Sequence, residues 1–172
     1  QSLYDGLTRE LKTDSIDNVS VLQLIKNSGV SRSTFYRHFY DKYELLNAYY
    51  DTVLNRTLYR CRTDLTWKQA VCSIYREIRN NLVFYQNALK SHEMNCLRDH
   101  ILKISIELHY SILQKNNVDM DDWKNRKLMQ SYIFGNFDVM CLWISEGMKE
   151  PVADMSELMI SRLPEPFTPY FK

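Results

Sequence analysis

The stretch GVSRSTFYRHF, residues 29–39, concentrates hydroxyl, guanidinium, imidazole and phenol groups between two Phe residues and a Gly. In a helix starting after Ser31, Phe35 and Phe39 fall one turn apart on a single face, with Val30 as a further apolar anchor before them. Arg32, Ser33, Tyr36, Arg37 and Tyr40 then project the other way, beside free N–H groups and the positive end of the helix dipole. Arg and short hydroxyl side chains read base edges in a major groove, and hydroxyls, Tyr and Lys hold phosphates. A solvated helix face has a similar composition, so the surrounding elements have to separate the two readings.

Other chemistry fares less well. His92, Cys96 and His100 recur at a spacing of four and could point the same way, as zinc ligands do. Ser91, however, reads as a helix cap, which puts His92 at a helix start, and no second cluster completes a site. HEMNC has Cys96 where the zinc-protease pattern needs His, and GVSRS has Ser33 where a nucleophile elbow needs Gly. With 4 Gly in the chain there is no phosphate-cradling loop. The expectation is a protein that is not an enzyme and carries no metal or other cofactor.

The chain of 172 residues, 45% hydrophobic with 4 Gly and 4 Pro, can bury a core and favours long helices, so the expected class is all-α. Its formal net charge of +1 supplies no global field for a polyanion. Any such surface is local, and between Ser20 and Lys42 the chain carries Lys26, Arg32, Arg37 and Lys42 against the single acid Asp41. Lys26 reads as a solvated lysine and stays outside the candidate site. Cys61, Cys72, Cys96 and Cys141 lack any C-x-x-C pairing and read as thiols in a reducing compartment. The longest purely apolar run is VMCLWI, and the start does not resemble a signal peptide, so a cytoplasmic protein with no membrane partner is expected.

The elements that would position the opening stretch can be read from caps and periodicity. Leu3, Leu7 and Leu11 predict a first helix, ended by Asp14, Ser15, Asp17 and Asn18. Ser20 as N-cap with Gln23 at the capping-box position, and Val19 placed to staple onto Leu24, predict a short second helix to about Asn27. Gly29 supplies the turn, Ser31 caps the third helix, and Asp41 with Glu44 repeats the capping-box pattern for a fourth. Two short helices around a Gly-containing turn, flanked by longer ones, outline a helix-turn-helix.

In order and spacing, SVLQLIKNSGVSRSTFYRHFYDKYELL resembles the DNA-binding signature of the TetR family of bacterial transcription regulators. The matching parts are Ser20, the apolar Val21, Leu24 and Ile25, the turn and recognition helix GVSRSTFYRHF, and DKYELL opening the fourth helix. The resemblance implies that Arg32, Ser33 and Thr34 read bases, while Ser20, Tyr36, His38 and Lys42 hold phosphates of double-stranded DNA. Arg37 projects outward on helical geometry and joins the base-reading set, with phosphate contact as its other role. Two features depart from the family's pattern. KTDSIDNVSV lacks the Gly often found after the first helix, and the first helix begins almost at Gln1, where relatives usually carry a short, often basic leader. Residues preceding Gln1, and DNA contacts with them, are therefore expected.

The fold expected is an N-terminal three-helix helix-turn-helix unit over residues 1–48, with the fourth helix from about 42 as connector. A helical bundle for effector binding and dimerisation would follow over 49–172. Val71, Ile74, Ile78 and Leu82 share one face, and a helix from about Met94 to Gln114 presents Leu97, Ile101, Ile104, Leu108 and Ile112. From about Trp123 to Met148 the chain is apolar on two sides: Leu128, Tyr132, Val139 and Trp143 on one, Met129, Ile133, Phe137, Met140 and Ile144 on the other. A helix like that needs burial on both.

In TetR-like proteins the last two long helices pair with their symmetry mates, which implies a homodimer on a pseudo-palindromic operator. The expected interface residues are Phe137, Met140, Ile144, Met155, Leu158 and Met159. The resemblance also implies a small-molecule effector within the helical domain, where Trp67, Tyr75, Phe84, Tyr85, His109, Tyr110 and Tyr132 could line a cavity or equally form core. The function so read is a DNA-binding transcription regulator, most often a repressor in that family. The alternative is a helical protein-interaction module that keeps the helix-turn-helix scaffold.

Overall fold

A computed structural model describes residues 2–171. Among them the chain is helical, with no strand. Helix α1 spans Ser2–Glu10, α2 Val21–Ser28, α3 Arg32–His38 and α4 Lys42–Arg56. After a 3₁₀ turn at Leu58–Arg62 come α5 (Trp67–Asn80), α6 (Leu82–Ala88), α7 (Leu97–Lys115), α8 (Trp123–Ser145) and α9 (Val152–Ser161). A second 3₁₀ turn covers Glu165–Tyr170. The all-α class and the helix-turn-helix at the N-terminal end are as the sequence predicts.

Local chemistry explains most boundaries. The Ser20 hydroxyl accepts from Gln23 N while the Gln23 side chain accepts from Ser20 N, so the predicted capping box closes. Thr66 and Gln69 form a second box at α5. Helix α2 ends at Gly29 in the left-handed region, φ 67°, where a side chain would be strained. At α7 the helix starts later than the periodicity suggests. Ser91 Oγ accepts from Glu93 N in a local turn, Asn95 adopts φ 63°, and Cys96 becomes the N-cap.

One continuous apolar core runs from α1 to the final 3₁₀ turn. In the head, Leu3, Leu7, Leu24, Phe35, Leu45 and Leu46 close around one another. The loop after α1 needs no glycine because Ile16 and Val19 are buried in it and no positive φ occurs there. Head and body are also joined by polar bonds. Asn87 Nδ2 donates to Leu11 O at 3.0 Å, Ile16 N donates to Asn87 O at 3.3 Å, and Asn47 Nδ2 donates to Asn95 O at 2.9 Å.

The structure places most of the expected interface residues within the protomer's own core. Phe137, Met140, Ile144, Met155 and Met159 are buried inside the protomer, and of the six only Leu158 is exposed. Tyr132 and Trp143, expected on the opposite side of α8, also turn inward. The outward stripe of α8 carries Trp123, Leu128, Phe134 and Leu142 instead. Periodicity finds apolar stripes without fixing which one meets the chain's own core; α6 and α7 pack along α8, and α5 and α9 reach it through Tyr75 against Trp143 and Met159 against Tyr132.

Asn87→Ala should cost roughly 1–3 kcal/mol in urea unfolding, because it strips a buried carbonyl of its donor. The exposed Lys12→Ala should stay within about 0.5 kcal/mol of the parent.

Candidate functional site

The first site is the surface of α3. With only the residues Arg32–His38, this helix depends on its cap, where Ser31 Oγ accepts from Thr34 N at 3.1 Å. Ser31 Oγ also donates to Thr34 Oγ1 at 2.9 Å and lies 3.0 Å from Ser33 Oγ, so three hydroxyls gather at one helix end. Phe35 is fully buried and locks α3 to the head, with Tyr36 and Phe39 packed against its ring at 5.2 and 5.9 Å. Arg32, Ser33, Tyr36, Arg37 and His38 are exposed together, as is Ser20 at the start of α2, while Thr34 is half-buried in the cap. The Arg32 guanidinium lies 5.6 Å from the Tyr36 ring centre, a cation–π contact that keeps it extended over α3.

Lys42 has a second occupation. Its Nζ donates to Asp17 O at 2.7 Å and Val19 O at 3.0 Å, clamping the loop before α2 onto the start of α4. Burial lowers its pKa from the usual lysine value. An ammonium has three N–H donors, so one is left over. Tyr43 beside it donates to Asp17 Oδ1 at 2.8 Å, and burial together with that carboxylate pushes the phenol up to about 12. Sequence reading identified Lys42 by its position in the motif. That it also pins the loop could not be seen without the fold.

The second site is a cavity of about 100 Å³ in the body. Of the residues expected there, Trp67, Tyr75, His109 and Tyr132 line it. Phe84, Tyr85 and Tyr110 do not: Phe84 and Tyr85 pack edge-on against each other at 5.1 Å beside α4, and Tyr110 is half-buried elsewhere on α7. Tyr50, Asn136 and Met140 were missed as lining residues. Tyr50 lies on the helix read as a connector, and Met140 was assigned to an interface by periodicity.

His109 is the cavity's most informative group. Its Nδ1 lies 2.7 Å from Ser105 O, and a carbonyl can only accept, so Nδ1 carries the proton and Nε2 keeps a lone pair. Rings of Trp67, Tyr132 and Phe171 surround it at centroid distances of 5.1, 5.8 and 5.3 Å. Burial holds its pKa down to about 4, against the backbone bond that favours the charged form. The imidazole is therefore neutral at pH 7. Tyr132 O–H donates to Met159 O at 3.2 Å and its phenol is pushed up to about 12, chiefly by burial.

Elsewhere, His100 Nε2 pairs with Asp51 Oδ1 at 2.8 Å and Cys96 is buried at the start of α7. Among the described residues no group of His, Cys, Asp and Glu could hold a metal ion, and no helix is long and apolar enough to cross a membrane.

The family model described as "Bacterial regulatory proteins, tetR family" matches residues 3–49, and "Transcriptional regulator C-terminal region" matches residues 65–163. The chain belongs to the TetR family of transcription regulators. Its helix-turn-helix is thus the DNA-binding element of a regulator family.

No curated protein sequence matches the chain. Among solved structures, this TetR-family chain is similar in fold to "Dihydroxyacetone kinase operon activator DhaS". The TM-score is 0.63 and the identity 15%, covering 94% of this chain and 92% of that one. It is also similar to the fatty acid degradation regulator FadR of Bacillus halodurans, with TM-score 0.61, 15% identity and coverage of 92% and 94%. FadR of Bacillus subtilis in complex with stearoyl-CoA gives TM-score 0.61 and 17% identity, with coverage of 95% and 97%.

Two outcomes follow. Ser31→Ala should cost about 1 kcal/mol of stability through the lost N-cap, read by urea melts. For His109 the folded state binds fewer protons than the unfolded state between pH 6.5 and about 4, so stability should fall as pH drops through that window. The buried imidazole contributes up to roughly 3 kcal/mol of this fall, and His109→Gln should remove that component from the pH–stability curve.

Proposed function

We propose that this TetR-family chain is a homodimeric repressor that binds a pseudo-palindromic operator through α3 and is released by a small molecule held in the body cavity. The observation that carries the DNA reading is the division of α3. Phe35 is fully buried, while Arg32, Ser33, Tyr36, Arg37 and His38 are exposed on a helix capped by Ser31. Arg32, Ser33, Thr34 and Arg37 are assigned to base edges, Thr34 through the hydroxyl hydrogen that its cap leaves free. Ser20, Tyr36 and His38 are assigned to phosphates, together with the third N–H of Lys42.

The dimer reading is supported by the outward stripe of α8, where Trp123, Leu128, Phe134 and Leu142 lie exposed, with Leu158 of α9 as a further exposed apolar side chain. Burying such a stripe against its symmetry mate satisfies both copies at once. Two heads on one duplex then read half-sites about one helical turn apart. The effector reading is supported by the placement of Tyr50, since a ligand in the cavity touches the helix that carries the head. In cells the protein would act in the cytoplasm, where its DNA is.

Fluorescence anisotropy on the duplex upstream of its own gene tests the DNA reading. With Lys42 the one lysine or arginine of the phosphate set in each protomer, log K for a dimer should fall against log salt with a slope of about −2. Arg37→Ala should weaken specific binding and relax the sequence preference. Binding that is indifferent to sequence and to Arg37 would transfer the helix-turn-helix to a scaffold role. Leu142→Glu should give a monomer in sedimentation and lose the affinity gained from paired half-sites; a stable dimer would move the interface off α8.

A further inference from the structure

The cavity can be read atom by atom for the kind of molecule it would hold. Its volume of about 100 Å³ is below the ~150 Å³ of an apolar cavity that takes benzene, so a single ring fits only with slight yielding of the wall. Met140 and Met159 in the lining are the side chains best able to yield. Among the described residues no Asp, Glu, Lys or Arg lines the space. A charged guest would lose its hydration with no counter-charge to replace it, which is prohibitive at this depth.

The polar groups of the lining residues are neutral. His109 Nε2 is an acceptor bonded to none of the described residues, because the ring's single proton sits on Nδ1 against Ser105 O. Asn136 donates through Nδ2 to Met159 O at 3.2 Å, which fixes the amide's orientation and leaves Oδ1 as a second acceptor, buried and unpartnered. Trp67 Nε1 is a buried unpartnered donor, and the hydroxyls of Tyr50 and Tyr75, both lining residues, add groups able to donate or accept. His109 Nε2 can only accept, so a guest that bonds it must bring a donor of its own. Rings of Trp67 and Tyr132 standing edge-on to His109 favour a flat guest over a branched one.

Resting on the effector reading above, we propose that the cavity binds a small uncharged aromatic molecule carrying a hydroxyl or N–H, whose donor bonds His109 Nε2. This is a different class from a charged acyl thioester. The bond formed is a hydrogen bond to a buried neutral acceptor, so its absence from a ligand of the same shape should weaken binding by about tenfold.

The test titrates the full-length chain with phenol, toluene, benzoate and stearoyl-CoA, reading tryptophan emission and the ¹⁵N resonances of the His109 imidazole, with operator binding followed in parallel. Phenol should bind about tenfold more tightly than toluene and should move the Nε2 resonance, which toluene leaves in place. Benzoate and stearoyl-CoA should not compete. In His109→Phe the phenol preference over toluene should vanish, and the resonance measurement on the unaltered chain stands if that variant does not fold. Toluene binding as well as phenol, or tighter binding of either anion with release of DNA, would overturn the ligand class and leave the effector reading standing. If none of the four perturbs His109 or the tryptophans, both the ligand class and the effector role of this cavity fall.

Discussion

The structure depends on α4 carrying one continuous core from the head into the body. Leu45 and Leu46, both fully buried, close the head around Phe35, and one to two turns later Tyr50, Val53 and Leu54 are packed into the body. Rigid helices transmit displacement without absorbing it, so the orientation of α3 is tied to whatever Tyr50 rests on. The front of the same helix clamps the preceding loop through Lys42 and Tyr43, and its middle reaches α7 through the Asp51–His100 pair at 2.8 Å. Sliding α4 therefore disturbs apolar contacts at both ends together with polar bonds on two sides. That is how a cavity in one part of a chain can bias a DNA-reading surface in another, provided its ligand has different affinities for the two arrangements.

Much of the head was legible in the sequence because its signals are short-range. Ser20 with Gln23, Gly29 and Ser31 fix helix starts and stops through bonds spanning three or four residues, and each forms as the residue types require. The alternation of Phe35 and Phe39 with charged and hydroxyl neighbours tells inside from outside on α3, since a short helix packed on one side has only one apolar stripe.

The body was less legible for the opposite reason. Helix α8 is apolar around much of its circumference, and periodicity alone cannot say which stripe meets the chain's own core. Phe137, Met140 and Ile144 went inward and Phe134 and Leu142 outward according to where α6, α7 and side chains of α5 and α9 meet α8, a fact of long-range packing. The cavity was half legible on the same grounds: Trp67, Tyr75, His109 and Tyr132 are aromatic or polar enough to attract notice, whereas Tyr50 and Asn136 acquire their role only from neighbours distant in sequence. The left-handed Asn95 that delays α7 carries no residue-type signal strong enough to be read in advance.

A net charge of +1 leaves recognition to a local surface, so the central claim is that α3 and its symmetry mate select DNA by sequence. The most direct measurement is selection of randomised duplexes by the purified chain, followed by hydroxyl-radical footprinting of the enriched pool. The account predicts an inverted repeat with two protected major-groove faces about one helical turn apart. A pool with no enriched sequence, or a single protected half-site occupied by one chain, would contradict it.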